Sequence, residues 1–251
     1  MSGEPSPGTD LYEAVLRPYD EKRRAQLVAA FMAVEYAAEP VPEAGFPALR
    51  EPAQRRVVEE MLALGGRTLI RGGTSWISGY RDDVARELAA DPDCVPPEED
   101  RAVLTLILVH SVAIPRAEGL LADDTWLSPH PAPVEELRRR SQLTVGELES
   151  ALRRLRAAGL VAHVRAGGTS ADPATETTGG YVPGPQFHRL TEAARRRLQE
   201  ELILAAGPDS PLAAAVRARR RDRRTDRADR TDRPERTDRP ERTARPTKGD
   251  T

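Results

Sequence analysis

Apolar positions along the first ninety residues recur at helical spacing. Leu27, Phe31 and Val34 stand at i, i+4 and i+7 within 20–38, which predicts an amphipathic helix there. A shorter helix is expected behind Thr9, carrying Leu11, Val15 and Leu16, after a breaker-rich stretch at 1–8 that reads as disordered. The breakers of EPVPEAGFP (39–47) predict a loop. A further helix opens at Glu51-Pro52, buries Val57, Val58, Met61 and Leu62, and stops at Gly65-Gly66. RTLIRGGTSWISG (67–79) reads as a short strand or turn, and Ile77, Tyr80, Val84 and Leu88 mark another helix. Pro92, Pro96 and Pro97 then punctuate a boundary.

Beyond it the pattern changes. The segment 98–114 is apolar nearly all round with acids at its start, which predicts a helix at the centre of a domain, ended by Pro115. Pro133 opens a short helix with Val134 and Leu137 inward. Thr144, with Glu147 three residues on, forms the signature of a capping box for a second helix. That helix turns Leu148, Ala151, Leu152 and Leu155 inward and stops at Gly159. LVAHV (160–164) alternates like a strand, a polar loop covers 165–180, and YVPGPQFHRL leads to a last helix with Leu190, Ala194, Leu198 and Leu202.

The predicted fold is mainly α with a small β-wing: a winged helix-turn-helix preceded by a helical N-terminal domain and followed by a disordered C-terminal tail. Expected boundaries are 9–95 for a helical domain serving dimerisation or partner binding, 97–206 for the winged helix, and 207–223 for a basic helix. From 224 to 247 runs a hexapeptide repeat (RTDRAD, RTDRPE, RTDRPE, RTARPT), too charged and too short in period to bury a core. The residues from Val134 to Leu202 resemble MarR/PadR-type bacterial regulators. ALRRLRAAGLV is similar to the end of their recognition helix, and FHRLTEAARRRL to the segment returning from their wing. Phe187 replaces the tyrosine of that pattern, and Ala194 its glycine. The resemblance implies a DNA-binding transcriptional regulator acting as a dimer.

Charge sharpens this picture. Residues 1–125 hold 13 Lys/Arg against 22 Asp/Glu, whereas 126–251 hold 25 against 18, an acidic front and a basic back. On the winged-helix reading, Arg138, Arg139, Arg140, Arg153 and Arg154 would neutralise phosphates, and Thr144, Val145 and Ser150 would lie at the groove-facing start of the recognition helix. Arg165 stands at the base of the wing, and Arg219, Arg220 and Arg221 form the densest part of a basic run at 217–224. Against DNA stand Glu147 and Glu149 on the recognition helix and Asp172 and Glu176 on the wing. These acids suit the alternative, a winged helix used as a protein-interaction subunit of a chromosome-organising, SMC-like ATPase complex.

The remaining chemistry is thin. One cysteine, Cys94, excludes an internal disulfide framework and fits a cytoplasmic protein. Neither a signal peptide nor a membrane span is expected. The four histidines (His110, His130, His163 and His188) have no zinc spacing, and GGRTLIRGGTS lacks the Lys-Ser/Thr ending of a phosphate loop. No catalytic role and no cofactor are expected. His110 is predicted to sit in the buried helix. Trp76 and Trp126 are read as core residues or as interface anchors.

Overall fold

The computed structural model describes residues 9–165, 179–207, 209–211 and 213–221. The chain divides into two compact units, Met1–Gly207 and Pro208–Thr251. It is mostly helical with two small antiparallel sheets. The acidic wing residues Asp172 and Glu176 and the hexapeptide repeat lie outside the described residues.

The first unit begins with α1 (Thr9–Leu16) and α2 (Glu21–Tyr36), the latter capped by the Asp20 carboxylate, which accepts from Arg23 N–H at 2.9 Å. Then come β1 (Val41–Pro42), α3 (Pro47–Arg50), α4 (Pro52–Leu64), β2 (Arg67–Gly72) and β3 (Ser75–Tyr80). Each strand of this sheet runs antiparallel to its neighbour, in the order β1-β3-β2. Leu27, Ala30 and Val34 of α2 meet Val57, Val58, Met61 and Leu62 of α4 in one core, which Trp76 also joins.

Within this half, the segment 67–79 expected as a short strand or turn is longer and more regular, and the helix expected from Ile77 starts later. Residues 67–80 form a full hairpin closed by the two residues Gly73 and Thr74, with Gly73 at φ 63°, a backbone that glycine adopts without a side-chain clash. Ile77 and Tyr80, read as the start of a helix, belong to β3, and the helix that follows, α5, covers Asp82–Ala90. Thr68, Ile70 and Ile77 are β-branched, and Ile77 is buried in the middle of the sheet.

The same sequence of elements follows again. α6 (Glu98–Leu108) runs through a π-helical turn (Val109–Ala113) into α7 (Ile114–Ala117). Then come β4 (Ala132–Pro133), α8 (Val134–Ser141), α9 (Val145–Ala157), β5 (Val161–Val164) and β6 (Gly180–Pro183), in the sheet order β4-β6-β5. A 3₁₀ turn over Pro185–Arg189 leads to α10 (Glu192–Ala206), capped by Thr191. In each sheet the earliest strand pairs with the latest, and the middle strand takes the far edge. Pro115 does not end the central helix. It has no N–H to donate to Ser111 four residues back, and its ring crowds that carbonyl. The backbone widens instead, with Ile114 N–H donating to Val109 five residues back, and the helix continues to Ala117.

Val103 and Ile107 of α6 pack with Leu137, Leu148, Ala151, Leu152 and Leu155, the inward positions read from the periodicity. Trp126 stacks on Phe187 (centroids 6.1 Å apart) in a neighbouring cluster with Leu108, Val112 and Leu202. Both tryptophans are therefore core residues. Trp76 keeps its polar edge satisfied by donating to Glu43 Oε2 at 3.0 Å. In the second unit the described residues 213–221 are helical, and Ser210 Oγ caps them by accepting from Ala213 N–H.

Candidate functional site

α8, a three-residue turn and α9 form a compact corner. The turn passes through Gln142, whose φ of 56° is left-handed. Thr144 closes the next helix as a full capping box. Its hydroxyl accepts from Glu147 N–H at 3.3 Å and donates to the Glu147 carboxylate at 2.7 Å, while Thr144 N–H donates to the same carboxylate at 2.8 Å. The Thr144 bonds hold the Glu147 carboxyl below its ordinary pKa. Thr144 and Glu147 are therefore engaged with each other. Val145 is half exposed at the helix start, and Ser150 is partly covered.

The arginines of this corner are largely paired. Arg138 meets Glu135 at 3.3 Å, and Arg139 and Arg140 share Glu136. Arg139 does most to hold the Glu136 carboxyl below its ordinary pKa. Arg154, expected to contact phosphate, grips Asp100 of α6 while its side chain stays half exposed. Its Nε donates to Oδ2 at 2.9 Å and its Nη2 to Oδ1 at 2.6 Å, a two-pronged bond that raises the Arg154 pKa. Asp100 is buried, so Arg154 compensates a carboxylate held out of water. Arg153 and Arg165 are exposed, with no ion pair among the described residues, as is Arg156. Glu149 points to solvent beside them.

Arg219 and Arg221 are exposed and Arg220 is partly covered, all within the helical stretch of the second unit. His110 lies on the π-helical turn, half-buried. Burial first, and Arg140 second, depress its pKa. Among the described residues no group of three His, Cys, Asp or Glu side chains could hold a metal ion, and no helix is long and apolar enough to cross a membrane.

Two features escaped the sequence reading. The first is the outer face of α2. While Leu27, Ala30 and Val34 go inward, Val28, Met32 and Tyr36 stand one above the other in solvent, 39%, 48% and 72% exposed. The helix is apolar on two sides, a signal that was present in QLVAAFMAVEY. The second is the junction between β3 and the 3₁₀ turn. Arg189 Nη1 donates to Ser78 O at 2.8 Å and Oγ at 2.7 Å. Its Nη2 donates to the carbonyls of Glu35 and Ala37, at 2.9 and 2.6 Å. The guanidinium thus closes the C-terminal end of α2, where carbonyls lack helical partners, and burial lowers its pKa. Gly79 makes this approach possible, because a methyl there would overlap the Arg189 carbonyl oxygen and Ile70 Cδ1. Thr191 and Arg197 both donate to Asp82, at 2.7 and 3.0 Å. No sequence signal marks Arg189, whose acceptors lie more than a hundred residues away.

No protein-family model matches the chain, and no curated protein matches it. Among solved structures, the chain is similar to a conserved hypothetical protein from Chlorobium tepidum. The two are 15% identical over 71% of this chain and 98% of that one, with a TM-score of 0.24. It is also similar to ScpB from Mycobacterium tuberculosis, at 18% identity over 78% of this chain and 98% of that one, with a TM-score of 0.21. At such TM-scores neither likeness bears weight for fold or function.

Proposed function

We propose that the chain is a tandem of two winged helices used as a protein-interaction module, in the manner of an accessory subunit of an SMC-like, chromosome-organising ATPase complex. What supports the tandem is the repeated order of helix, short strand, two helices and two strands, with the same strand order in both sheets.

The observation that carries the interaction reading is the state of the α8–α9 corner. A DNA-reading helix turns free cations and hydrogen-bonding side chains to the groove. Here Arg138, Arg139, Arg140 and Arg154 are matched with carboxylates, and the helix begins with Glu147 and Glu149. The stripe of Val28, Met32 and Tyr36 suits a second copy of the chain, since one helix face can pair with itself about a two-fold axis.

The test combines two measurements on the full chain. DNA binding by fluorescence anisotropy is expected to show no sequence preference and to fade as salt approaches physiological strength. Light scattering is expected to report a dimer that Met32→Glu converts to a monomer. Sequence-selective binding that survives physiological salt would favour the transcriptional reading implied by the MarR/PadR resemblance, with exposed Arg153 and Arg165 as its contacts.

A further inference from the structure

The β2–β3 hairpin has one open side. In the order β1-β3-β2, strand β2 pairs only with β3. A two-residue turn makes Gly72 and Ser75 a hydrogen-bonded pair, and bonded and non-bonded pairs alternate from there. Ile70–Ile77 and Thr68–Gly79 are then bonded, whereas Arg71–Trp76 and Leu69–Ser78 are not. Leu69 and Arg71 therefore turn their N–H and C=O groups away from the sheet. Among the described residues no backbone bond outside the ladder engages them.

This edge is partly sheltered, with Thr68, Leu69 and Ile70 half-buried and Arg71 exposed. It forms one wall of a groove of about 640 Å³, lined by residues 68–71, by 81–83 at one end, and by 190–192 with Arg195 opposite. The acids at the groove's end are already occupied: Asp83 holds Arg81, and Asp82 takes bonds from Thr191 and Arg197. Two guanidiniums are not paired with carboxylates among the described residues. Arg71 lies over Trp76 and donates Nε to Gly73 O, and Arg195 has a buried Nε with no partner. Glu192 is the remaining acid, exposed at the first turn of α10.

A free strand edge inside a walled groove is the geometry of strand addition, in which backbone bonds hold an extended peptide and flanking side chains select it. We infer that the β2 edge takes an extended segment of a partner protein as an added strand, with an acidic side chain of that segment meeting Arg195. This inference rests on the protein-interaction reading and assigns it a site.

The experiment is an NMR titration of the isotope-labelled full chain with a synthetic peptide of alternating valine and aspartate, and with its valine–lysine counterpart. The aspartate peptide should shift and protect the Leu69 and Arg71 amides, and the lysine peptide should not. Arg71→Pro deletes an outward N–H that the ladder does not use, and should weaken binding at least about 10-fold. Arg195→Gln, which leaves the hairpin untouched, should weaken it by about the same factor. Equal binding of the lysine peptide, or unchanged affinity in both variants, would overturn the inference. Shifts mapping to α2 instead would overturn this site while leaving an interaction module in place.

Discussion

The two halves of the first unit share an order of elements and a sheet topology, but they expose different chemistry. The first closes its hairpin with two residues between six-residue strands, and its long helix α2 shows valine, methionine and tyrosine to solvent. The second has strands of four residues, separated in sequence by 165–179, and its corner helices carry arginines matched with glutamates and an aspartate. One topology thus supports an apolar surface in one place and a charge-compensated surface in another. The inward positions that build the fold are independent of the outward positions that decide what it touches.

The sharpest way to break the comparison is to empty each core in turn. Leu27→Ala and Leu155→Ala each remove a fully buried side chain and should cost about 3 kcal/mol. If the junction makes the halves one cooperative body, either variant should lower the whole denaturant transition with a single midpoint. Two separated transitions would show that the halves fold independently. The junction itself comes next. Gly79→Ala forces the 3₁₀ turn off β3, and Arg189→Ala strips four carbonyl and hydroxyl acceptors of their donor, so each should cost roughly 2 kcal/mol in chemical denaturation. Smaller losses would mean that water replaces the contact and that the halves are loosely joined.

Acid should act more gently. Burial depresses the pKa of His110 and His188 below the usual value of 6.5. The unfolded chain therefore takes up protons before the folded one does, and stability should decline as the pH falls below about 6.5 and through the folded values. Denaturation midpoints at successive pH values should show that slope, and His188→Gln should flatten it. The smallest expected effect is a gain. Gln142→Gly relieves the left-handed backbone between α8 and α9 and should add up to about 1 kcal/mol. An unchanged midpoint would mean that the added freedom of the unfolded chain cancels the gain.

Much of the second half was legible because its signals are local. The capping box at Thr144 and Glu147 and the leucine spacing of α9 act within a few residues, and α9 forms where they place it. The first half was read less well. Its segment 67–79 reads only as a short strand or turn before a helix, since Ile77, Tyr80, Val84 and Leu88 fit helical spacing as readily as they fit a strand followed by a helix. Pro115 misled for a related reason: proline forbids one hydrogen bond, but a helix anchored by Val103, Ile107 and Val112 can widen and continue.

What the chain determined by itself is the sidedness of its helices, the caps that start them and the glycines where they turn. These depend on neighbours a few positions apart. Tertiary structure alone decided that Arg154 would serve Asp100, that Arg189 would close the end of α2, and that the β2 edge would face a groove. A guanidinium binds whichever carboxylate or carbonyl the fold brings near it, and those partners lie fifty to a hundred and fifty residues away along the chain.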